Sequence, residues 1–413
     1  MHYDIAVIGA GSAGFSAAIT AAERGAKVAL IGYGTIGGTC VNVGCVPSKA
    51  MLRAVETIHA ATRPFAGITA HARMADWPAM VAQKQALVDS LRAAKYEDVL
   101  PNHPLVRYLE GFATFQPDGR LTVSGEVIAA GKVIIATGSH PHVPKIEGLS
   151  AVDWLDSTTA LQLPALPASL LIIGGGYIGV EIAQIFSRAG SVVTIATRHG
   201  LLPEAEPEVS AALTQAFADE GIKLLSGLTY RRVVHGPSGI SLHARKDGAP
   251  LEITAARLML ATGRRANSAR LNLAAAGIKT APNGGIIVDS KMQTSVEGVY
   301  AAGDVTGRDQ FVYMATYGAK LAALRATGEC CAPEYDNSTK PSVVFSDPQV
   351  ASIGLTQAEA ESQGRAVVTS VLGLEHVPRA LAARDTRGGD QARRGKRQQK
   401  AAWGAYCGTR GGR

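Results

Sequence analysis

No apolar run in this 413-residue chain approaches the roughly 20 residues that a membrane-spanning helix needs. Met1-His2-Tyr3-Asp4 leads directly into a short apolar segment and lacks a signal-peptide pattern, so the expectation is a soluble, cytoplasmic protein with no membrane partner. Cysteine is also scarce. Five in so long a chain exclude a secreted disulfide framework and point instead to catalytic or metal-binding use of any conspicuous pair. A broad excess of one charge is lacking too, despite a net charge of +7. Nine of the 41 basic residues and two of the 34 acidic ones fall between Arg384 and Arg413, which leaves 32 of each elsewhere. The body is neutral, which argues against nucleic acid as a partner. What is abundant is apolar residues, 46% of the chain, enough to bury two or three cores at roughly 100–200 residues per domain.

The apolar segments are organised around glycine. Asp4–Ile8 reads as a short buried strand that runs into Gly9-x-Gly11-x-x-Gly14, then an alanine-rich helix over Ser12–Arg24 and a second strand over Lys27–Ile31. The pattern recurs as Leu170–Ile173, Gly174-x-Gly176-x-x-Gly179, a helix near Val180–Arg188 and a strand over Val192–Ala196. A lone glycine fingerprint is weak, but each of these sits in a complete β-turn-α-β unit. There glycine permits the tight turn, the approach of backbone to a pyrophosphate and the packing of helix on strand, while the helix N-terminus faces the phosphates. Two such units imply two dinucleotide sites.

Two further strands end in glycine, at Thr137-Gly138 and Thr262-Gly263, and bracket the second unit. The expected organisation is a first domain over 1–150 that resumes over 265–334 after an inserted second domain at 151–264, and a third region over 335–388 with strands near Ser342–Phe345 and Val367–Leu372. The first domain closes through Val299–Asp304. Residues 389–413 carry glycine, glutamine and basic side chains without apolar periodicity and read as an unpatterned tail that contributes no packed strand.

Cys40 and Cys45, with four residues between them, stand in the run Gly37-Gly38-Thr39-Cys40-Val41-Asn42-Val43-Gly44-Cys45-Val46-Pro47-Ser48-Lys49. Free cysteines are commonly small buried hydrophobes. Here Gly38 and Thr39 allow backbone to approach a cofactor, and Pro47-Ser48 fits a helix start whose positive end lowers thiol pKa values. A dinucleotide at the first fingerprint could place a flavin beside this pair. Cys330-Cys331 and Cys407 read as incidental, and His140, His142 and His376 lack metal-ligand spacing.

The Cys40–Lys49 run resembles the redox motif of the flavoprotein pyridine nucleotide-disulfide oxidoreductases, with a likeness that extends from residue 4 to about 388. Ala94-Lys95-Tyr96-Glu97, Gln310–Tyr313, Phe345–Gly354 and Val377–Leu381 narrow it to the mercuric reductase branch. The resemblance implies an α/β fold with two Rossmann-like domains, for FAD and NADPH, and an α+β interface domain that is incomplete here. It implies FAD contacts at Gly14, Gly34, Thr39, Lys49, Ala113, Asp304 and Val312, to which the fingerprint glycines, Gly38, Thr137 and Gly138 are added. Cys45 would lie against the flavin, Cys40 would exchange with ligands, Glu181 would pair with Lys49, and Tyr96 would approach the metal held by both cysteines. The implied reaction passes electrons from NADPH through FAD to the cysteine disulfide; the resulting thiolates bind Hg(II), delivered as a thiol complex, which a second reduced-flavin step reduces to Hg(0). Soft thiolate suits so soft an ion.

Ala196 stands where an acid would bind the ribose of NAD, and Arg198 can meet a 2′-phosphate, which favours NADPH over NADH. Glu204 stands where relatives often carry a second arginine. In the first unit the corresponding ribose-binding acid is replaced by Gly32, a change expected to cost about 1.5–3 kcal/mol of FAD affinity. After Gly388 the family would continue through the interface domain that builds its homodimer and ends in a cysteine pair; the abrupt change resembles a truncation or shifted frame. Two rivals remain, a disulfide reductase of the same family and a catalytically incompetent FAD-binding remnant.

Overall fold

A computed structural model describes residues 2–395 and 403–408, which divide into two units. One comprises 1–47, 85–140 and 264–337; the other comprises 48–84, 141–263 and 338–413. Segment 48–84 thus groups with the inserted nucleotide-binding segment, unlike the division read from the sequence.

The first unit is built on a mainly parallel sheet. Strand β1 (His2–Ile8) lies between β2 (Val28–Gly32) and Glu126–Ile135, with β3 (Val106–Glu110) outside β2 and Val299–Ala301 paired to the far side of 126–135. An antiparallel hairpin, Ala113–Phe115 with Leu121–Val123, extends it. Strands buried on both faces require continuous apolar runs, and Ala6, Val7, Leu30, Ile134 and Ile135 are all buried. Helix α1 (Ser12–Glu23) presents Ala17, Ala18 and Ala21, while the helix Val312–Ala326 buries Ala319, Ala322 and Ala323; the small side chains let the two helices meet closely.

In the second unit a parallel sheet runs in the spatial order Lys223–Leu225, Val192–Ala196, Ser169–Ile173, Arg257–Leu260, Trp154–Leu155. A three-stranded antiparallel sheet spans Leu228–Ala255, and a five-stranded antiparallel sheet has the order 341–344, 349–353, 403–408, 389–395, 367–373.

That last sheet corrects the reading of the tail. Gly389–Gly395 and Trp403–Gly408 are paired strands, with Cys407 opposite Val350 and buried in the same core as Ile172, Phe186 and Val350. The residues turned inward on Gly389–Gly395 include Gln391 and Arg393, 2% and 1% exposed. Arg393 is paired with Glu206 at 2.7 Å and donates to Gln391 Oε1 and the Leu355 carbonyl. An alternation whose inward members are polar leaves no apolar period to find. Positions 396–402 and 409–413 of that tail lie outside the described residues.

Candidate functional site

The first fingerprint forms a cradle that a side chain would fill. Gly9 has φ +119°, and a Cβ there would enter the Ala136 carbonyl; a Cβ on Gly14 would strike the Gly9 carbonyl. Gly11 opens α1 at its N-cap and bridges to Gly37, and a Cβ on Gly38 would lie 2.7 Å from Gly11 Cα. The cysteine loop therefore packs directly on the fingerprint turn, an approach that requires glycine at position 38. These features fit a dinucleotide whose pyrophosphate meets the α1 N-terminus.

Cys40 lies in the short helix Gly38–Asn42, and Cys45 opens the helix Cys45–Ala61; both are half-buried. The second helix starts two residues before the expected Pro47, which sits in its first turn where a missing N–H costs nothing. Asn42 donates to the Ile36 and Gly38 carbonyls and accepts from Arg92, so the loop is tied both to itself and to the helix Trp77–Arg92. Tyr96 follows in a π-turn over Ala93–Glu97, buried edge-on against Phe15 at 4.9 Å. Its hydroxyl lies 2.9 Å from Ser12 Oγ. Burial pushes the Tyr96 pKa up, the Ser12 bond opposes this, and the charges of Cys40 and Cys45 push it further up. Tyr96 therefore keeps its proton at neutral pH, in the field of both cysteines.

Other expected residues of this unit fall on several of its elements. Asp304 accepts from Ser139 Oγ at 2.7 Å, and Arg264 donates to the same Ser139 oxygen at 2.7 Å and to the Ser139 carbonyl at 2.8 Å. The Thr137 hydroxyl donates to the Asn267 carbonyl, and Gly138 takes φ +70°. Val312 begins a 15-residue helix, Gly34 takes φ +74°, and Ala113 opens a strand. Ser139 and Arg264 were not singled out from sequence; no local pattern marks residues 125 apart.

In the second unit Gly174, Gly176 and Gly179 repeat the cradle, with Gly176 capping the helix Tyr177–Ala189. Arg198 is exposed just beyond the strand that ends at Ala196, and Thr197 Oγ1 accepts from the His199 and Gly200 amides to shape the turn. Glu204 is exposed on the loop that follows. Lys49 and Glu181 form the expected pair, with Nζ 2.7 Å and 2.8 Å from the two carboxylate oxygens. Glu181 also accepts from the Phe345 amide and Ser48 Oγ, and Lys49 lies over the Phe345 ring at 4.8 Å.

Two groups bring metal-capable atoms together among the described residues, Glu329-Cys330-Cys331 and His59-Glu220-Asp347. The cysteines are exposed, with sulfurs 3.6 Å apart. The second group is threaded by Arg188 and Arg387, which pair with both carboxylates, so its charge is already met by protein cations. No helix of the described residues is long and apolar enough to cross a membrane.

Two dinucleotide cradles with a cysteine pair packed on one of them define a class of redox enzyme, and the chain matches the family described as pyridine nucleotide-disulphide oxidoreductase over residues 3–320 and the dimerisation domain of that family over 340–389. The chain therefore belongs to the pyridine nucleotide-disulphide oxidoreductases, a family that joins a flavin, FAD, to a pyridine nucleotide. Its curated relatives include mercuric reductases. That of Lysinibacillus sphaericus is 42% identical over 389 residues, covering 94% of this chain and 71% of the relative. That of Streptomyces lividans is 43% identical over 394 residues, covering 94% and 82%. Among solved structures, the HOCl-induced flavoprotein disulfide reductase RclA from Escherichia coli superposes with a TM-score of 0.86 at 28% identity, covering 99% of this chain and 90% of that one.

Proposed function

We propose that this chain reduces Hg(II) to Hg(0) at the expense of NADPH, with Cys40 and Cys45 as the metal-holding redox pair. The overall balance is Hg(II) + NADPH giving Hg(0) + NADP⁺ + H⁺. The observation that carries the reading is the packing of Gly37 and Gly38, which lead into Cys40 and Cys45, on the first fingerprint, with the buried Tyr96 in the field of both cysteines. FAD, held at that fingerprint, supplies the passage of an electron pair from nicotinamide to sulfur. The protein's own part is to orient and protect. Gly11, Gly37 and Gly38 bring the cysteine loop onto the cradle, the start of the helix at Cys45 favours thiolate, and Asn42 and Arg92 brace the loop. The thiolates hold a soft cation, and the Tyr96 hydroxyl can donate to a sulfur or to a ligand leaving the metal.

The test is NADPH oxidation by the purified flavoprotein with Hg(II) presented as a complex with excess thiol. Mercury-dependent oxidation is expected. Oxidation driven by a small disulfide but not by mercury would replace this reading with that of a disulfide reductase, the chemistry named for the RclA structure. No oxidation by either would leave the incompetent flavin-binding chain as the reading. A homodimer is proposed from the dimerisation-domain match, and sizing chromatography decides it.

Tyr96→Phe keeps the ring on Phe15 and removes the donor. Flavin content should be unchanged while mercury turnover falls by about tenfold to a hundredfold, the scale of one lost charge-assisted hydrogen bond. Unchanged turnover would remove Tyr96 from the reaction.

NADPH is proposed over NADH because Ala196 leaves the ribose hydroxyls without an acid partner and exposed Arg198 follows it. Arg198→Glu should lower the NADPH-to-NADH ratio of kcat/KM by about a hundredfold, through loss of an attractive charge and gain of a repulsive one. A ratio within threefold of the parent would place the selectivity elsewhere.

A further inference from the structure

The first unit lacks the acid that dinucleotide folds carry at the end of their second strand to bind the adenosine ribose, and Gly32 stands in that place. The empty position is not open space. A Cβ on Gly32 would lie 2.7 Å from the Tyr108 hydroxyl oxygen, 2.9 Å from the Tyr108 ring and 2.7 Å from the Cβ of Ala10 in the fingerprint. The tyrosine therefore covers the vacant site, and its oxygen sits at about the distance from the missing Cβ at which a short acid would place a carboxylate oxygen.

Strand register explains the fit. β2 and β3 are parallel with Gly32 opposite Glu110 and Leu30 opposite Tyr108. Tyr108 and Glu110 are two residues apart and share a face of the sheet, the face toward which Gly32 would point. Burial, and then the charge of Glu110, raise the Tyr108 pKa, so the group is a protonated hydroxyl with a carboxylate nearby. Gly111, at φ +153°, donates its amide to the Gly32 carbonyl at 2.8 Å and keeps the strand ends together. Beyond it Phe112 stacks on Tyr33 with ring centroids 3.7 Å apart, and Arg270 covers the Phe112 ring at 4.1 Å.

We propose that the Tyr108 hydroxyl, with Glu110 behind it, takes over from the absent acid at Gly32 and binds the adenosine ribose of the flavin dinucleotide. The inference rests on the reading that FAD occupies the first fingerprint. It replaces a charged acceptor on β2 by a neutral hydroxyl from β3. It also explains why residue 32 is glycine: no side chain fits beneath the tyrosine. The simpler reading, in which the Tyr108 ring fills a void, predicts no dependence on its oxygen.

The test titrates apoprotein with FAD and follows quenching of flavin fluorescence, alongside the thermal midpoint of the apoprotein. Tyr108→Phe should raise the FAD Kd by about tenfold with an unchanged midpoint, the scale of one hydrogen bond. Gly32→Glu alone should weaken FAD by more than that, because its Cβ meets both Tyr108 and the Cβ of Ala10 in the fingerprint. Gly32→Glu combined with Tyr108→Ala removes the Tyr108 contact but not that with the Ala10 Cβ, so it should bind FAD more tightly than Gly32→Glu alone while remaining weaker than the parent. A Tyr108→Phe Kd equal to that of the parent would overturn the assignment while leaving the FAD site intact. Failure of the parent apoprotein itself to bind FAD would overturn both.

Discussion

Cys45→Ala is expected to abolish the long-wavelength absorption that appears when the flavoprotein is reduced, and to lower mercury turnover by about a thousandfold or more. Cys45 opens a helix, where partial positive charge favours thiolate, and it is the member of the pair proposed to face the flavin. A thiolate against an oxidised flavin gives that absorption; alanine cannot. Cys40→Ala is the control that separates the two sulfurs. It should keep the absorption, because Cys45 remains, yet lose turnover to a similar degree, because one sulfur cannot both hold the metal and complete the exchange. Both spectra are read on anaerobic reduction with NADPH. A band that survives Cys45→Ala and disappears with Cys40→Ala would exchange the two roles.

The second large effect concerns stability. Arg188 is 5% exposed at its side chain and pairs with Glu220 at 2.6 Å and with Asp347 at 2.7 Å, while Arg387 reaches the same two carboxylates at 3.4 Å and 3.1 Å. Gln184 also donates to Glu220 and to the Asp347 carbonyl. Removing one partner from a buried network leaves an uncompensated charge, a loss of about 3–5 kcal/mol. Arg188→Met should therefore destabilise the protein by about 3 kcal/mol in urea, toward the low end because Arg387 remains. Arg188→Met with Glu220→Gln removes one charge of each sign and should recover a large part of the loss. A single variant within about 1 kcal/mol of the parent would show that the network is solvated and of little weight.

His59 reports on the same place. Burial is the main force holding its pKa below the usual 6.5; the Arg188 charge adds to it, and Glu220 and Asp347 oppose it. A histidine whose folded pKa is below its unfolded one favours the unfolded chain as pH falls through the unfolded value, so this group subtracts stability below about pH 6.5. Taking away Arg188 should move the His59 pKa up, measurable by NMR titration, and soften that acid sensitivity.

The two β-turn-α-β units, the cysteine motif and the position of Arg198 beyond Ala196 were legible in the sequence because each is a local requirement. A turn around a pyrophosphate needs glycine at fixed spacing, a buried parallel strand needs a continuous apolar run, and a redox pair needs sulfur near a helix start. The Lys49–Glu181 pair was expected from resemblance, and its geometry is present at 2.7 Å. The bounds of some strands agreed to within a residue or two for the same local reasons, as at Val192–Ala196 and Val367–Gly373.

Tertiary structure decided what depends on partners distant in the chain. Arg393 faces inward because Glu206 and the Leu355 carbonyl receive it, and Gln391 beside it accepts from Arg393, so a stretch that looks unpatterned alone becomes a sheet strand in context. Gly32 reads as a lost ribose acid until β3 brings Tyr108 across it. Ser139 and Arg264 meet at Asp304, and Arg188 meets Asp347, across 125 and 159 residues of chain. Backbone turns, apolar strands and the placing of the cysteine pair were legible in the sequence by itself, since those follow from the conformational and chemical limits of individual residues. Which polar groups are satisfied, and what fills the place of a missing one, was left to the packed fold, because hydrogen bonds and ion pairs depend on proximity that no local pattern encodes.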